Sequence, residues 1–293
     1  MPRPYVTLDV FTQQRFAGNQ LAVVMDGRGL ADDAMQAIAR EFNYAETSFV
    51  LPADDARRTA KVRIFTPGYE MPFAGHPTVG TAIAIARARN IAGDLTLELK
   101  AGVFPVRVSS AAGRWRAEFE NPNLPAERGA APSAEAIERA LSLPEGALDR
   151  GAHRPRRIGA GVDFYYTRAP IDIVRKAEIN AAAWKKLSFA GVIGVYLYAD
   201  GGDLEGSDYH VRMFAPDAGV TEDPATGSAA AAFPGQLLLA GALSASRKIR
   251  IEQGVELGRP SVLFVDAEVV AGGVTRVAVG GFAVPVMRGE LED

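Results

Sequence analysis

Two short segments that contain glycine, here called glycine steps, have residue types and spacing that could do chemistry. The first is Gly75-His76-Pro77, followed by the small and apolar run Thr78–Ile85. The second is Gly227-Ser228, preceded by Asp223 and followed by a run of alanines. Each apolar run predicts a helix, and the free N–H groups and positive dipole end at a helix start favour an anion. The two steps therefore indicate sites for a carboxylate or a developing enolate.

The composition excludes several other chemistries. The chain of 293 residues has no cysteine, which removes disulfides, thiolate nucleophiles and racemase chemistry that uses two thiols. Its three histidines are far apart and lack the spacing of an HExxH motif, so we expect no metal. No Gly-rich nucleotide motif follows a strand, so we expect no nicotinamide, flavin or nucleotide cofactor.

Charge and hydropathy limit the partners. The net charge is -3, so the chain lacks the basic excess of a nucleic-acid binder. No apolar stretch approaches the roughly 20 residues that span a bilayer. The first residues also lack the apolar run of a signal peptide. We expect a cytoplasmic protein with neither a nucleic-acid nor a membrane partner.

Strand-like runs dominate the chain, and helices are few. Regular strand–helix alternation, typical of a parallel sheet, is missing, which favours an α+β fold. Helical spacing is found at Ala31–Asn43, Pro77–Asn90, about Ser133–Leu143 and about Thr226–Leu239. The stretch Glu120–Glu135 is rich in Pro, Ala and Gly and predicts a linker between two lobes.

An internal repeat relates the two halves of the chain. Val62-Arg-Ile-Phe-Thr-Pro67 resembles Val211-Arg-Met-Phe-Ala-Pro216, and each strand precedes a loop, a glycine step and a helix of small residues. A helix that is apolar on every side must be buried on every side. We therefore expect a curled sheet around a central helix in each half.

The repeat is part of a longer series of motifs. The series comprises Leu8–Thr12, Phe16–Asn19 with Ala22–Val24, Glu46–Val50, Phe65–Pro67, Gly75–Thr78, Asp223–Ser228 and Gly254–Ser261. In kind and in order it resembles the family of the phenazine-biosynthesis isomerase PhzF, which shares its fold with diaminopimelate epimerase. Gln20 departs from the pattern, since the family usually has proline there.

The resemblance implies a particular α+β architecture. This is a fold of two pseudo-symmetric lobes, each a curled sheet or barrel around a central apolar helix, as in diaminopimelate epimerase. We expect the N-terminal lobe at residues 1–124, joined by the C-terminal strand at about 282–293, and the C-terminal lobe at 125–281. The active site is expected in the cleft between the lobes, and the protein is expected to be a homodimer.

The resemblance also implies a chemistry: a proton-shifting isomerase that uses no cofactor and acts on a small carboxylated substrate, cyclic substrates included. Glu46 matches the family glutamate that moves the proton as general acid and base. The other matched catalytic positions are His76, Asp223 and Ser228. Gly75 and Gly227 match positions that offer backbone N–H groups to the substrate.

Each of these positions has an ordinary structural interpretation as well. By position alone, Glu46 is an exposed carboxylate at a strand end, and His76, Asp223 and Ser228 are helix caps. Asn19 is either a turn residue or a substrate contact. Arg259 either forms a surface salt bridge or contacts a substrate carboxylate.

Two other functions stay open at this point. A racemase or epimerase of a small amino or hydroxy acid would use Glu46 and one opposing group, although the lack of cysteine argues against the usual version. A small-molecule binding protein would keep the fold without catalysis, although the complete set of polar residues argues against this loss.

Overall fold

The computed structural model describes residues 2–292, which divide into two compact units. The first unit contains the described residues up to Glu120 and from Gly280 onward. The second unit is Asn121–Val279. Within the described residues, no helix has the length and apolar character needed to cross a membrane.

In its described residues up to Glu120, the first unit contains seven strands of six or more residues, one strand of two residues and two helices. In chain order these are β1 (Arg3–Val10), β2 (Asn19–Val24), α1 (Asp32–Phe42), β3 (Glu46–Leu51), β4 (Ala60–Phe65), β5 (Glu70–Met71), α2 (Gly75–Arg89), β6 (Gly93–Leu99), β7 (Gly102–Ala111) and β8 (Arg114–Glu120).

The second unit has a similar order of strands and helices along the chain. Its elements are β9 (Ala126–Gly129), α3 (Ala134–Ala140), β10 (Arg156–Gly159), β11 (Asp163–Arg168), α4 (Ile171–Val174), α5 (Ala181–Trp184), β12 (Val192–Asp200), β13 (Tyr209–Ala215), β14 (Val220–Asp223), α6 (Gly227–Leu239), β15 (Arg247–Gln253), β16 (Ser261–Val270) and β17 (Gly273–Leu291). The residues of β17 from Gly280 onward belong to the first unit.

The first unit is a closed barrel of eight strands within the described residues. β1–β2, β3–β4, β6–β7 and β7–β8 pair antiparallel, while β2–β3 and β4–β6 pair parallel. β17 pairs with both β1 and β8 and thereby closes the barrel. No strand of such a barrel leaves an unpaired edge.

The central helix α2 fits the barrel because its residues are small. It packs on β1, β2, β3, β6, β7 and β8, and every residue from Gly75 to Ala86 is buried. A Cβ on Gly80 would lie 2.5 Å from Leu21 Cδ2 and 2.7 Å from Val10 Cγ2. Glycine therefore lets the helix approach β1 and β2 closely.

The second unit repeats the pairing order of the first. β10–β11, β12–β13 and β15–β16 pair antiparallel, and β11–β12 and β13–β15 pair parallel. The repeated sequences Val62–Phe65 and Val211–Phe214 lie at equivalent positions in β4 and β13. α6 is the second central helix, with Gly227 and Ala229–Leu237 buried. The predicted α+β fold class is confirmed.

Some local predictions were wrong. The predicted linker at Glu120–Glu135 begins at the boundary of the two units, but it also contains β9, which pairs with β10. Arg157–Thr167 is strand-like throughout in sequence, yet it forms the β10–β11 hairpin, because Gly161 turns the chain with φ +107°. The basic sequence around His153 is typical of a solvated loop, yet His153 is 8% exposed, and its Nδ1 lies 2.8 Å from the Tyr198 hydroxyl.

Candidate functional site

Glu46 and His76 meet in the first unit. Glu46 is the first residue of β3, and His76 is the second residue of α2. The distance from His76 Nε2 to Glu46 Oε2 is 3.2 Å, and the side chains are 5% and 15% exposed. The carboxylate and the imidazole are therefore in reach of each other at the point where a barrel strand passes the start of the central helix.

Asn19 and Gly75 complete this group. Asn19 is the first residue of β2 and is buried, and its Nδ2 lies 3.3 Å from His76 Nδ1. When the Asn19 amide donates to Nδ1, the ring proton of a neutral imidazole is on Nε2, on the side of Glu46. Gly75 begins α2, and the N-cap Ala74 makes no side-chain cap hydrogen bond. His76 is therefore not a capping residue.

Burial keeps His76 neutral. It lowers the pKa of His76 to about 3, and a backbone hydrogen bond with Gln20 offsets only part of this effect. The positive dipole end at the start of α2 also disfavours a charged imidazole, so it acts in the same direction. A neutral imidazole can donate one hydrogen bond and accept another near neutral pH without adding charge to the site.

Asp223, Gly227 and Ser228 lie together in the second unit. Asp223 is the last residue of β14, and Gly227 and Ser228 are the first two residues of α6. The N-cap is Thr226, whose hydroxyl donates to Asp223 Oδ2 at 2.6 Å instead of capping the helix. Asp223 is thus oriented by Thr226. Ser228, half-buried, has the same position in α6 that His76 has in α2.

Arg259 lies in the loop between β15 and β16. Its backbone N–H donates to the Gly254 carbonyl at 3.0 Å, and the residue is half-buried. Gly254, with φ +75°, lies against Pro224, since a Cβ there would be 2.7 Å from the Pro224 carbonyl oxygen. The loop that carries Arg259 therefore begins beside the Asp223–Thr226 segment. A role for the Arg259 side chain stays a prediction.

The family model described as phenazine biosynthesis-like protein matches residues 8–289. The chain belongs to the phenazine biosynthesis-like, or PhzF, family. The predicted family is thereby confirmed over nearly the whole chain. Membership accounts for the order of the motifs along the sequence, from Leu8–Thr12 to Gly254–Ser261.

Two relatives named as isomerases match nearly the full length of the chain. An uncharacterized isomerase of Mesorhizobium japonicum is 41% identical over 99% of this chain and 98% of its own length. The trans-2,3-dihydro-3-hydroxyanthranilate isomerase of Pseudomonas fluorescens is 34% identical over 98% of each chain. The predicted enzyme class, an isomerase, is confirmed by these relatives.

Solved structures agree with the fold. A PhzF-family phenazine biosynthesis protein of Bacillus anthracis superposes with a TM-score of 0.88 at 25% identity, over 100% of both chains. A hydroxyproline epimerase of Agrobacterium vitis superposes with a TM-score of 0.65 at 14% identity, over 99% of this chain and 92% of its own. The second likeness concerns the fold alone. It is consistent with the diaminopimelate epimerase-like fold that the PhzF family shares.

One group of residues in this PhzF-family chain has the types that bind metals. Ligand atoms of Asp203, His210 and Glu252 lie within 4.8 Å of one another. Both ring nitrogens of His210 are already engaged, with Glu252 at 2.6 Å and Glu256 at 2.8 Å. Glu252 also accepts the backbone N–H groups of Asp203 and Leu204. We therefore interpret the group as a hydrogen-bonded ion pair rather than as a set of metal ligands.

Sequence reasoning missed two polar residues of the second unit. His210 was given no role, yet it is fully buried between carboxylates. Gln253 was not considered, yet its amide binds the Asp223–Thr226 segment. The only signal for Gln253 was its position directly before Gly254, a glycine with positive φ.

Proposed function

We propose that this chain is a cofactor-independent isomerase that shifts a proton within a small carboxylated substrate, with Glu46 as the general acid and base. The observation that carries the proposal is the contact of Glu46 with a neutral His76, whose Nε2 lies 3.2 Å from Glu46 Oε2. Family membership and the isomerase names of the relatives support the reaction class.

The proposed reaction needs one residue to take a proton and return it. A C–H bond of the substrate breaks, its proton moves to the Glu46 carboxylate, and the electron pair spreads into the conjugated, carboxylated system. Glu46 then gives the proton to another carbon, so no other reagent is consumed. His76, held by Asn19, would donate to the substrate or to Glu46 while remaining neutral.

The helix starts would bind the negative charge. Gly75 begins α2 and Gly227 begins α6, and neither helix has a side-chain cap hydrogen bond at its N-cap. Backbone N–H groups at such ends favour a carboxylate or an enolate. Asp223, Ser228, Asn19 and Arg259 are proposed as further substrate contacts. A homodimer and a cytoplasmic location are expected along with this function.

The test uses trans-2,3-dihydro-3-hydroxyanthranilate as the first probe, because it is the compound in the name of a relative that is 34% identical. Wild type should isomerise it or a related small carboxylate, followed by absorbance and NMR. Glu46→Gln should lower kcat by about 10²- to 10⁴-fold with an unchanged unfolding midpoint, since general acid–base catalysis contributes that much.

Glu98→Gln is the matched control in the same unit. Its carboxylate accepts backbone N–H groups of Asp54 and Asp55 and pairs with Arg58 at 2.9 Å. This variant should lose stability and keep kcat. Unchanged turnover in Glu46→Gln, or no turnover by wild type on any small carboxylate, would contradict the proposal.

A further inference from the structure

Gln253, the last residue of β15, joins the Asp223–Thr226 segment by three hydrogen bonds. Its Nε2 donates to the Asp223 carbonyl at 2.7 Å and to Thr226 Oγ1 at 3.0 Å. Its Oε1 accepts the Thr226 backbone N–H at 3.1 Å. The side chain is fully buried, so none of these bonds is exchanged readily for water.

The directions of these hydrogen bonds fix the orientation of the Gln253 amide. The hydroxyl of Thr226 has one proton, and it goes to Asp223 Oδ2 at 2.6 Å. Thr226 Oγ1 must therefore accept from Gln253, and the amide of Gln253 has only one orientation that fits. A rotated amide would lose all three bonds, so Gln253, Thr226 and Asp223 form one polarised series.

The backbone beside Gln253 brings it to this place. A Cβ on Gly254 would lie 2.7 Å from the Pro224 carbonyl oxygen and 2.6 Å from the Arg259 carbonyl oxygen. Glycine with φ +75° thus lets the end of β15 touch the segment that carries Asp223. Because Gly254 contacts Pro224 through backbone atoms, a small shift of β15 would also move the side-chain amide of Gln253.

The first unit has no such amide at the equivalent position. The parallel pairs Lys61–Glu98 and His210–Glu252 align β6 with β15, which places Leu99 where the second unit has Gln253. Leu99 is a buried apolar residue. The repeat does not require an amide here, and its presence coincides with the unit whose segment carries Asp223.

We propose that Gln253 is a positioning residue of the isomerase reaction: through Thr226 it holds the Asp223 carboxylate and the first N–H groups of α6 in one fixed arrangement. This proposal rests on the proposed function, in which Asp223 contacts the substrate. Gln253 itself touches no reacting atom, and it acts through the segment that it binds.

Gln253→Met keeps the size of the side chain and removes all three hydrogen bonds. We expect kcat to fall about 10- to 100-fold with a smaller change in KM, because loss of about 1 Å of precision at a reacting group costs up to about 10²-fold. A double-mutant cycle with Asp223→Asn separates positioning from general damage. If Gln253 acts through Asp223, adding Gln253→Met to Asp223→Asn lowers kcat little further.

Gln236→Met is the matched control. Gln236 is also a fully buried glutamine of the second unit, bonded to Arg156 and Tyr198. It should lose a similar amount of stability while kcat stays near wild type. Equal losses of kcat in the two variants, or losses that multiply with Asp223→Asn, would overturn the positioning role.

Hydrogen exchange gives a readout that does not depend on turnover. The Thr226 amide donates to Gln253 Oε1, so its exchange should be at least about tenfold faster in Gln253→Met and unchanged in Gln236→Met. Unchanged Thr226 exchange in Gln253→Met overturns the positioning proposal whatever the activity. A wild type without turnover overturns the proposed function whatever the exchange.

Discussion

The first unit buries His76 beside one carboxylate, whereas the second unit buries His210 between two. His76 Nε2 lies 3.2 Å from Glu46, and burial lowers the pKa of His76 to about 3. Burial also acts to lower the pKa of His210, but hydrogen bonds to Glu252 and Glu256 outweigh it and raise the pKa to about 9. One repeated fold thus holds one neutral and one charged histidine.

This difference between the two histidines is consistent with a chemical role for His76 and a structural role for His210. Glu98 in β6 and Glu252 in β15 occupy equivalent positions. Each accepts two backbone N–H groups from the loop that precedes its parallel neighbour strand, β4 or β13. That arrangement is common to both units and holds a loop in place. A neutral histidine beside a carboxylate at a helix start is found at Glu46 and His76, and it is the arrangement suited to moving protons.

Among the changes that compare the histidines of the two units, the largest expected effect comes from His76. His76→Asn should lower kcat by about 10²-fold or more, because it removes a donor beside Glu46 while leaving the fold. The control is His153→Asn, which replaces a buried histidine of the second unit that contacts Tyr198. We expect His153→Asn to change stability and to leave kcat within about threefold of wild type. Similar losses of kcat in both variants would remove the distinction between the units.

The next effect is the pH dependence of stability. The pKa of His210 is about 9 in the folded protein and about 6.5 when unfolded. Its stabilisation is therefore complete below about pH 6.5 and is lost as the pH rises through about 9, which amounts to about 3 kcal/mol. Urea unfolding between pH 6 and pH 10 checks this. His210→Gln should remove most of the decline, and an equal decline in this variant would show that other groups cause it.

The sequence was informative where local pattern decides the structure. The repeat located β4, β13 and both central helices, because small apolar runs and glycine steps are local signals. The order of the motifs identified Glu46 and His76 as candidate site residues, and the structure brings these two side chains together. His210 and Gln253 were missed, since their partners lie 42 and 27 residues away in the chain. Such contacts follow from strand register, which no local pattern shows.

The smallest expected difference concerns the equivalent arginines of the repeat. Arg212 makes a bidentate pair with Glu222 and donates to three backbone carbonyls, and its side chain is 9% exposed. Arg63 pairs with Glu70 and with the exposed Asp32 and is 20% exposed. Arg212→Lys should cost about 2 kcal/mol and Arg63→Lys under about 1 kcal/mol, since lysine cannot reproduce the planar fork. Equal costs by chemical denaturation would contradict this ranking.

The role of Glu46 is tested most directly by following the proton itself. With a carboxylated substrate that wild type turns over, the reaction in D₂O is followed by NMR for wild type, Glu46→Gln and Glu98→Gln. We expect wild type and Glu98→Gln to form a new bond to hydrogen at the carbon that receives the proton, with deuterium there whenever the proton on Glu46 exchanges with solvent before transfer. We expect Glu46→Gln to form no such bond. Deuterium incorporation by Glu46→Gln at the wild-type rate would contradict the assignment of Glu46 as the acid–base residue.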